Sequence, residues 1–231
     1  MKRAVCLLSG GLDSSTATAI AISKGFEAYG MTFRYGQRHE KEITSAFAVG
    51  KSLGLKDHVL VDFDLRKWGG SSLTDDIPVP TDRDADEMAS AIPSTYVPAR
   101  NTIFLSFALS YAETLGADSI FIGVSQIDYS GYPDCREEYL QAFERMANLA
   151  TKAGVEKTTI FKIEAPLLHM SKSEIIQAGL DLGVDYSLTW SCYQGADLAC
   201  GRCDSCKLRI DAFRKLGMTD PIAYMDQPDT Q

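Results

Sequence analysis

A strand-length apolar segment that runs directly into a glycine-rich turn is the feature that most limits the possible folds. Residues 3–8 form this segment, and Ser9, Gly10 and Gly11 open the turn that follows it. A helix is predicted immediately after the turn, over about Ser14–Lys24. A buried strand joined to a helix in this way is typical of α/β proteins.

The first two-thirds of the chain continues the alternation of strands and helices. Strand-like runs occur at residues 28–35, 59–63 and 119–124, and apolar residues recur at helical spacing over 39–53 and 101–115. Strands separated by helices predict an open parallel sheet with helices on both faces. Ligands of such sheets bind at the carboxyl ends of the strands, where the glycine turn also lies.

Three more helices are predicted towards the C-terminus. They cover residues 137–150, the stretch that follows Ser171, and residues 204–216. Ser171 and Glu174 have the spacing of a capping box, in which each of the two side chains accepts a hydrogen bond from the other residue's backbone N–H.

Residues 64–97 interrupt this alternation. They contain Gly69, Gly70, three prolines and an acidic run at residues 74–89, and their apolar residues show no clear period. A loop of this length is either functional, such as a lid over a ligand, or a solvated insertion. Both interpretations are open on the sequence.

The charge of the chain limits its partners. The 231 residues carry a formal net charge of −8, which argues against a broad nucleic-acid-binding face. No stretch approaches the roughly 18 apolar residues of a membrane span, and the N-terminus lacks a signal-peptide pattern. We therefore expect a soluble, cytoplasmic protein that binds no membrane and forms no stable complex with nucleic acid.

The glycine turn has the chemistry of a phosphate-binding loop. Glycines let the backbone approach a phosphate closely, and the first turn of the next helix offers free N–H groups and the positive end of the helix dipole. Asp13 suits either a magnesium ligand or a helix cap. The turn matches neither the Walker A pattern nor the dinucleotide-binding pattern. The alternative is a tight strand–helix turn in which Ser-Gly-Gly occurs by chance.

Four cysteines predict a metal site near the C-terminus. They fall within 15 residues and are Cys192, Cys200, Cys203 and Cys206. In a chain with no secretion signal, such a cluster is more typical of metal ligands than of disulfides. Four thiolates suit one structural zinc ion, with an iron–sulfur cluster as the alternative. We therefore divide the chain into an α/β domain at residues 1–186 and a zinc-binding segment at 187–231. Cys6 is expected to be a core residue. Cys135 is ambiguous, since a cysteine in that place is a small buried residue more often than a nucleophile.

Residues 9–14, placed between the first strand and the first helix, resemble the PP-loop signature of the N-type ATP pyrophosphatases. The resemblance implies that ATP binds there with Mg²⁺ and is cleaved at its α-phosphate, and that an oxygen of the substrate becomes adenylated. The ATP-binding residues that it implies are Leu8, Ser9, Gly10, Gly11, Leu12, Asp13, Ser14 and Ser15.

A closer resemblance is carried by five further stretches. They lie at residues 35–39, 97–101, 123–125, 128–136 and 170–174. Together with the loop and the cysteines, they resemble the 7-cyano-7-deazaguanine synthase family of the queuosine pathway, in the same order and over essentially the whole chain. This resemblance implies conversion of 7-carboxy-7-deazaguanine, ammonia and ATP into a nitrile, through an adenylated carboxylate and then an adenylated amide. It also implies a homodimer.

Three charged residues are the expected catalytic groups, namely Asp13, Arg100 and Lys172. Lys172 falls in the first turn of the helix behind Ser171, where a cation opposes the helix dipole. A bound phosphate would reconcile the two, and an exposed lysine is the alternative. Arg100 follows Pro98 at a loop-to-helix junction, where its guanidinium could hold a phosphate or the substrate carboxylate. The alternative is a surface ion pair.

Four residues of the 128–136 stretch are the expected contacts with the substrate base. A guanine-like base presents an N–H and an amino group that suit one carboxylate, which Asp128 or Asp134 could supply. Either aspartate could instead cap the helix that begins near Arg136. Tyr132 could stack on the ring, with core packing as the alternative. Arg136 belongs to the same stretch and completes the set.

Two other functions compete with this assignment. One is a tRNA-modifying PP-loop enzyme of the thiolation or lysidine type, which would need a large RNA surface. The acidic balance of the chain argues against it. The other is a non-catalytic, zinc-bearing, nucleotide-binding module, which would release no AMP or pyrophosphate.

Overall fold

A parallel β-sheet runs through the centre of the computed structural model, which describes residues 2–38, 40–84, 87–88, 92–126, 132–194 and 197–225. The strands of the described residues are β1 (Lys2–Leu7), β2 (Phe26–Arg34), β3 (Asp57–Asp62), β4 (Ser119–Phe121) and β5 (Lys162–Glu164). Their order in the sheet is β3-β2-β1-β4-β5, and all four pairs of neighbours are parallel. The predicted open parallel sheet is confirmed.

Helices connect the strands and follow the last one. They are α1 (Leu12–Ser23), α2 (Lys41–Ser52), α3 (Arg100–Leu115), α4 (Glu137–Ala150), α5 (Lys152–Val155), α6 (Lys172–Asp181) and α7 (Asp204–Lys215). The six longer helices coincide with the six predicted ones to within about two residues at each end. Within the described residues, no helix is both long enough and apolar enough to cross a bilayer.

Alternate residues of β1 face opposite sides of the sheet, as the geometry of a strand requires. Ala4 and Cys6 pack in a cluster with Ala21 of α1. Val5 and Leu7 instead belong to the large cluster that contains the buried faces of α3 and α4. The predicted helices on both faces of the sheet are thus confirmed.

The two short strands differ from the sequence prediction. β4 ends at Phe121, although a strand was expected over residues 119–124, because the chain leaves the ladder after one last bond from Ile122 N to Glu164 O at 3.0 Å. β5 is not predicted at all. Its three residues are Lys-Ile-Glu, a pattern too short and too charged to indicate a strand.

The described part of residues 64–97 packs against the cysteine segment. Asp82 N donates a hydrogen bond to Arg202 O at 2.9 Å, and Arg83 forms an ion pair with Asp204. Leu73 and Val79 are buried in the large core cluster. The described part of this segment is therefore a packed element of the fold and not a solvated insertion.

A buried arginine joins α7 to the chain that precedes the cysteines. The side chain of Arg209 is only 1% exposed and forms an ion pair with Asp220 at 2.6 Å. It also donates hydrogen bonds to Thr189 Oγ1 at 2.7 Å and to Tyr186 O at 3.1 Å. An ion pair buried this deeply depends on complete hydrogen bonding. Arg209 therefore holds the C-terminal segment against the α/β body.

Candidate active site

A cavity of about 220 Å³ opens at the carboxyl edge of the sheet. Its wall is formed by the loop after β1, the ends of β2 and β4, the first turns of α2, α3 and α6, and residues 190–193. This is the edge at which parallel α/β sheets bind ligands. Six of the eight predicted ATP-binding residues line it, namely Leu8, Ser9, Gly11, Leu12, Asp13 and Ser14.

Gly10 lets the loop pass tightly against α2. Its φ of +80° is in the left-handed region, and a Cβ there would lie 2.5 Å from both Ala46 N and Glu42 O. Gly11 is the N-cap of α1 and offers no side chain to cap the helix. The first N–H groups of α1 are thus not capped by Gly11, and this is the arrangement in which a helix N-terminus binds an anion.

Serine hydroxyls hold the loop in this shape. Ser14 Oγ accepts a hydrogen bond from Ser9 N at 3.1 Å, and Ser15 Oγ donates one to Gly11 O at 2.7 Å. The chain leaving β4 comes very close to the same turn, since a Cβ on Gly123 would lie 2.6 Å from Ser14 N. The loop is therefore shaped by its own hydroxyls and by close backbone contacts on two sides.

Asp13 and Lys172 form an ion pair at the mouth of this loop. Lys172 Nζ lies 2.8 Å from each carboxylate oxygen of Asp13, and the lysine side chain is only 8% exposed. Lys172 follows Ser171, which caps α6 in a complete capping box with Glu174. The structure therefore brings two of the predicted catalytic residues together, and Lys172 is not the exposed lysine of the alternative interpretation.

Arg100 begins α3 and lines the same cavity. Ala99, the residue before it, has a φ of +53°, a conformation that residues other than glycine rarely adopt. The Arg100 guanidinium lies 5.9 Å from the ring centre of Tyr35 and 5.8 Å from that of Phe104. It donates a long hydrogen bond of 3.4 Å to the Tyr35 hydroxyl. Among the described residues the Arg100 side chain forms no ion pair with a carboxylate, so the alternative of a surface ion pair is not observed.

The predicted base-contacting residues separate in the structure. Tyr132 lines the cavity, is buried, and shares a hydrogen bond of 2.8 Å with Thr95. Asp134 is buried beside the start of α3, where its carboxylate accepts from Asn101 N at 3.1 Å, and it does not line the cavity. Arg136 is exposed before α4 and also lies outside the cavity wall. Asp128 is outside the described residues, so all four roles stay predictions.

Cys135 also lines the cavity, but its thiol is in an unreactive setting. It is 6% exposed and accepts a hydrogen bond from Asn101 Nδ2 at 3.4 Å. Burial raises the pKa of Cys135 to about 12, with the charge of Asp134 acting in the same direction. The side chain is therefore a neutral thiol near neutral pH, in agreement with a small buried residue and not with a nucleophile.

One carboxylate of the cavity has no signal in the sequence. Glu42 lies in the first turn of α2 and lines the cavity from the side of the glycine loop. Burial raises the pKa of Glu42 to about 7, while the positive charge of Arg100 opposes the rise. Helical spacing shows only that residue 42 belongs to a helix, so the sequence predicts neither its burial nor its position beside the loop.

The four predicted cysteine ligands come together. The sulfur atoms of Cys192, Cys200, Cys203 and Cys206 all lie within 4.8 Å of one another, and all four residues are buried. Zn–S bonds of about 2.3 Å in a tetrahedron place sulfurs roughly 3.8 Å apart, and Cys200 Sγ and Cys206 Sγ are 3.9 Å apart. Backbone N–H groups of Cys200 and Cys203 also donate to cluster sulfurs at 3.3 Å, which favours thiolates. The cluster can therefore hold one metal ion.

The cysteine segment is connected to the glycine loop through Trp190. Trp190 N donates a hydrogen bond to Gly10 O at 2.8 Å, and Lys41 Nζ lies 3.8 Å from the centre of the Trp190 ring. Arg209 also reaches the cavity wall from α7. Sequence reasoning missed Trp190 and Arg209 because both contacts join residues far apart in the chain.

The fold and the loop together define an α/β protein of the PP-loop class. Two solved structures share the fold over most of this chain. The crystal structure of a predicted subunit of tRNA methyltransferase from Methanocaldococcus jannaschii has a TM-score of 0.50 and 14% identity, covering 98% of this chain and 94% of that one. NMN synthetase from Francisella tularensis has the same TM-score and identity, covering 94% and 78%. At this identity the likeness concerns the fold alone.

Sequence comparison narrows the class to one family. The profile of the family described as Queuosine biosynthesis protein QueC matches residues 3–217. The chain is 60% identical over 226 residues to a 7-cyano-7-deazaguanine synthase of Geotalea uraniireducens (strain Rf4), covering 97% of each protein. It is 57% identical over 225 residues to the enzyme of that name from Syntrophotalea carbinolica, covering 96% of each. The chain belongs to the QueC family.

Proposed function

We propose that this chain converts 7-carboxy-7-deazaguanine and ammonia into 7-cyano-7-deazaguanine, with cleavage of ATP, in queuosine biosynthesis. It would thus be a carbon–nitrogen ligase. The observation that carries the proposal is near full-length identity of 57–60% to synthases of that name. The cavity supports it, because a phosphate-binding loop and a cationic side chain, Arg100, line the same enclosed space.

ATP would bind with its phosphates at the glycine loop. The first turn of α1 offers backbone N–H groups and the positive end of its dipole to the pyrophosphate. Lys172 is close enough to Asp13 to share this region, and its charge would stabilise the negative charge that develops on the leaving pyrophosphate. Asp13 is the residue that would hold Mg²⁺, since carboxylate oxygens are the ligands this ion prefers.

Arg100 is the residue we assign to the substrate carboxylate or to a phosphate. It projects from the start of α3 into the cavity that the loop also lines. The rings of Tyr35 and Phe104 pack near its guanidinium and limit its freedom. A fixed guanidinium can hold a carboxylate through two parallel hydrogen bonds. Tyr132 would lie against the deazapurine ring, and Asp128, Asp134 and Arg136 remain candidates for reading its polar edge.

The chemistry needs two activations. A carboxylate is a poor electrophile, and transfer of the adenylyl group makes AMP the leaving group. Attack by ammonia then gives an amide, whose oxygen is adenylated in turn before loss of AMP leaves the nitrile. No covalent bond to the enzyme is required. The neutral, buried thiol of Cys135 is consistent with that course.

The cysteine cluster would hold one structural zinc ion. Four sulfur ligands fill a tetrahedral site, so no position remains for a reacting water. The metal would fix the segment that carries Trp190 and Arg209 against the loop. We further propose a cytoplasmic homodimer with no nucleic-acid partner, divided into an α/β domain at residues 1–186 and a zinc-binding segment at 187–231.

The direct test is the stoichiometry of the reaction. Purified, metal-loaded protein should release AMP and pyrophosphate from ATP only when both 7-carboxy-7-deazaguanine and ammonium are supplied, with formation of the nitrile. Asp13→Asn should lower turnover strongly and leave the metal content unchanged. Absence of release that depends on the acid would refute the proposal. Salt-dependent binding of tRNA would instead revive the tRNA-modifying alternative.

A further inference from the structure

The cavity contains a second carboxylate that the proposed roles leave unused. Asp13 and Glu42 are the acidic side chains of its described wall. Asp13 is neutralised by Lys172 at 2.8 Å. In the described part of the chain the Glu42 side chain forms no hydrogen bond and no ion pair, and the positive charge of Arg100 acts on it through space. The Glu42 carboxylate shares the cavity with the Arg100 guanidinium but forms no hydrogen bond to it. The carboxylate can therefore accept a hydrogen bond from a ligand.

The position of Glu42 lies between the two ends of the proposed substrate complex. Glu42 is adjacent to the phosphate loop, because its backbone oxygen lies 2.5 Å from the point where a Cβ on Gly10 would stand. Its charge interacts with Arg100, the group assigned to the substrate carboxylate. A substrate carbon held by Arg100 and adenylated from the loop would therefore react near the Glu42 carboxylate.

The proposed reaction must dispose of protons at this carbon. The bound ammonium must first lose one proton, because only ammonia has the lone pair that attacks. When this ammonia attacks the acyl adenylate, a C–N bond forms, the C–O bond to AMP breaks, and the nitrogen must lose one further proton to leave a neutral amide. When the adenylated amide loses AMP, the C–O bond breaks, a further C–N π bond forms, and the nitrogen must lose its remaining protons to leave the nitrile. Both steps need a base beside the nitrogen, and neither needs an oxidant or a reductant.

We propose that Glu42 is the proton acceptor for the nitrogen in both steps and binds the incoming ammonium beside the acyl adenylate. This inference rests on the proposed function. Lys172 is excluded from the role by its bond to Asp13, and Cys135 by its burial as a neutral thiol.

The ionisation of Glu42 agrees with this role. Burial is the largest influence on its pKa, which rises to about 7, and Arg100 opposes the rise while Cys192 adds to it. Among the described residues, Tyr35 also interacts with Glu42, and it is buried as a neutral phenol. A base whose pKa lies near the working pH is present in its ionised form and can also release the proton it receives.

The ordinary explanation of Glu42 is a favourable charge in the first turn of α2. Glu40 precedes the same turn and provides the comparison. Its side chain is 73% exposed and forms an ion pair with Arg34 at 3.0 Å, outside the cavity. A carboxylate kept only for the helix dipole would share that exposure, whereas Glu42 is turned into the cavity.

The test separates adenylation from the nitrogen chemistry in Glu42→Gln, with Glu40→Gln as the matched control. Exchange of labelled pyrophosphate into ATP, measured with 7-carboxy-7-deazaguanine and no ammonia, reports adenylation and correct folding. It should stay near the wild-type rate in both variants. Amide and nitrile formation at saturating ammonium should fall on the order of 10²-fold or more in Glu42→Gln alone. At a fixed concentration of free ammonia, the rise of the wild-type rate as pH increases through about 7 should be lost in that variant.

Hydroxylamine, used as the nucleophile in place of ammonium, provides a second test of the role of Glu42. It is largely unprotonated at neutral pH and needs less help from a base, so the loss of acyl transfer in Glu42→Gln should be about tenfold smaller with hydroxylamine than with ammonium. Equal losses of exchange and of amide formation, or unchanged amide formation, would overturn the role of Glu42. If wild-type protein shows no exchange dependent on the acid, the proposed function itself fails, and this inference fails with it.

Discussion

Replacing Gly10 by alanine tests the structural basis of the glycine loop. Gly10 has a φ of +80°, and the added methyl carbon would lie 2.5 Å from Ala46 N and from Glu42 O. Both are backbone atoms, so no side chain can rotate away to make room. The contact is roughly 1 Å shorter than van der Waals packing allows. Either the loop or the first turns of α2 must therefore move.

Two contributions lower the free energy of unfolding of Gly10→Ala. A left-handed conformation costs alanine about 1–2 kcal/mol, and insertion of a methyl group into a filled space costs about 1–3 kcal/mol more. Gly54→Ala is the matched control, because Gly54 follows α2 with a φ of +71° and no atom lies within 4 Å of its added Cβ. It should lose only the conformational part. We expect Gly10→Ala to be less stable than Gly54→Ala by about 1–3 kcal/mol.

The free energy of unfolding in urea measures this difference, and the KM for ATP in pyrophosphate exchange measures its effect on the site. A displacement of about 1 Å at a phosphate-binding loop should lower exchange on the order of 10²-fold in Gly10→Ala. Gly54→Ala should bind ATP like the wild type. Equal stability and equal exchange in the two variants would show that the loop does not pass α2 as closely as the structure indicates.

Three further outcomes are expected. Cys203→Ser should lower bound zinc, measured by mass spectrometry, and the melting temperature, whereas Cys6→Ser should keep the metal because Cys6 lies in β1. Arg209→Ala leaves Asp220 buried without its partner and should cost about 3–5 kcal/mol of unfolding free energy in urea, against about 0.5 kcal/mol or less for the exposed Arg214→Ala. Folding raises the pKa of Glu42 from 4.5 to about 7, so wild-type stability falls as pH rises through this window. Urea titrations at low and high pH should therefore show Glu42→Gln gaining stability relative to wild type as pH rises, and a constant difference would contradict the assigned burial.

The sequence by itself determined the order of the main elements and the two motifs. Period and apolar spacing are local properties, and for this reason six helices, four strands and the parallel α/β class could be predicted. The glycine turn and the cysteine spacing are local as well, and both occur where they were expected. β5 could not be predicted, because a three-residue strand of the composition Lys-Ile-Glu depends on its neighbour β4 for its conformation.

Only the tertiary structure decided which distant side chains meet at the loop. Lys172 and Asp13 are 159 positions apart and become an ion pair because α1 and α6 pack side by side. The Asp134 carboxylate accepts a hydrogen bond from Asn101 N at the start of α3, a contact that the sequence did not indicate. Glu42 and Arg209 line the cavity only because α2 and α7 fold against the same edge of the sheet. Such contacts arise from packing between elements, and they cannot be predicted from the spacing of residues within one element.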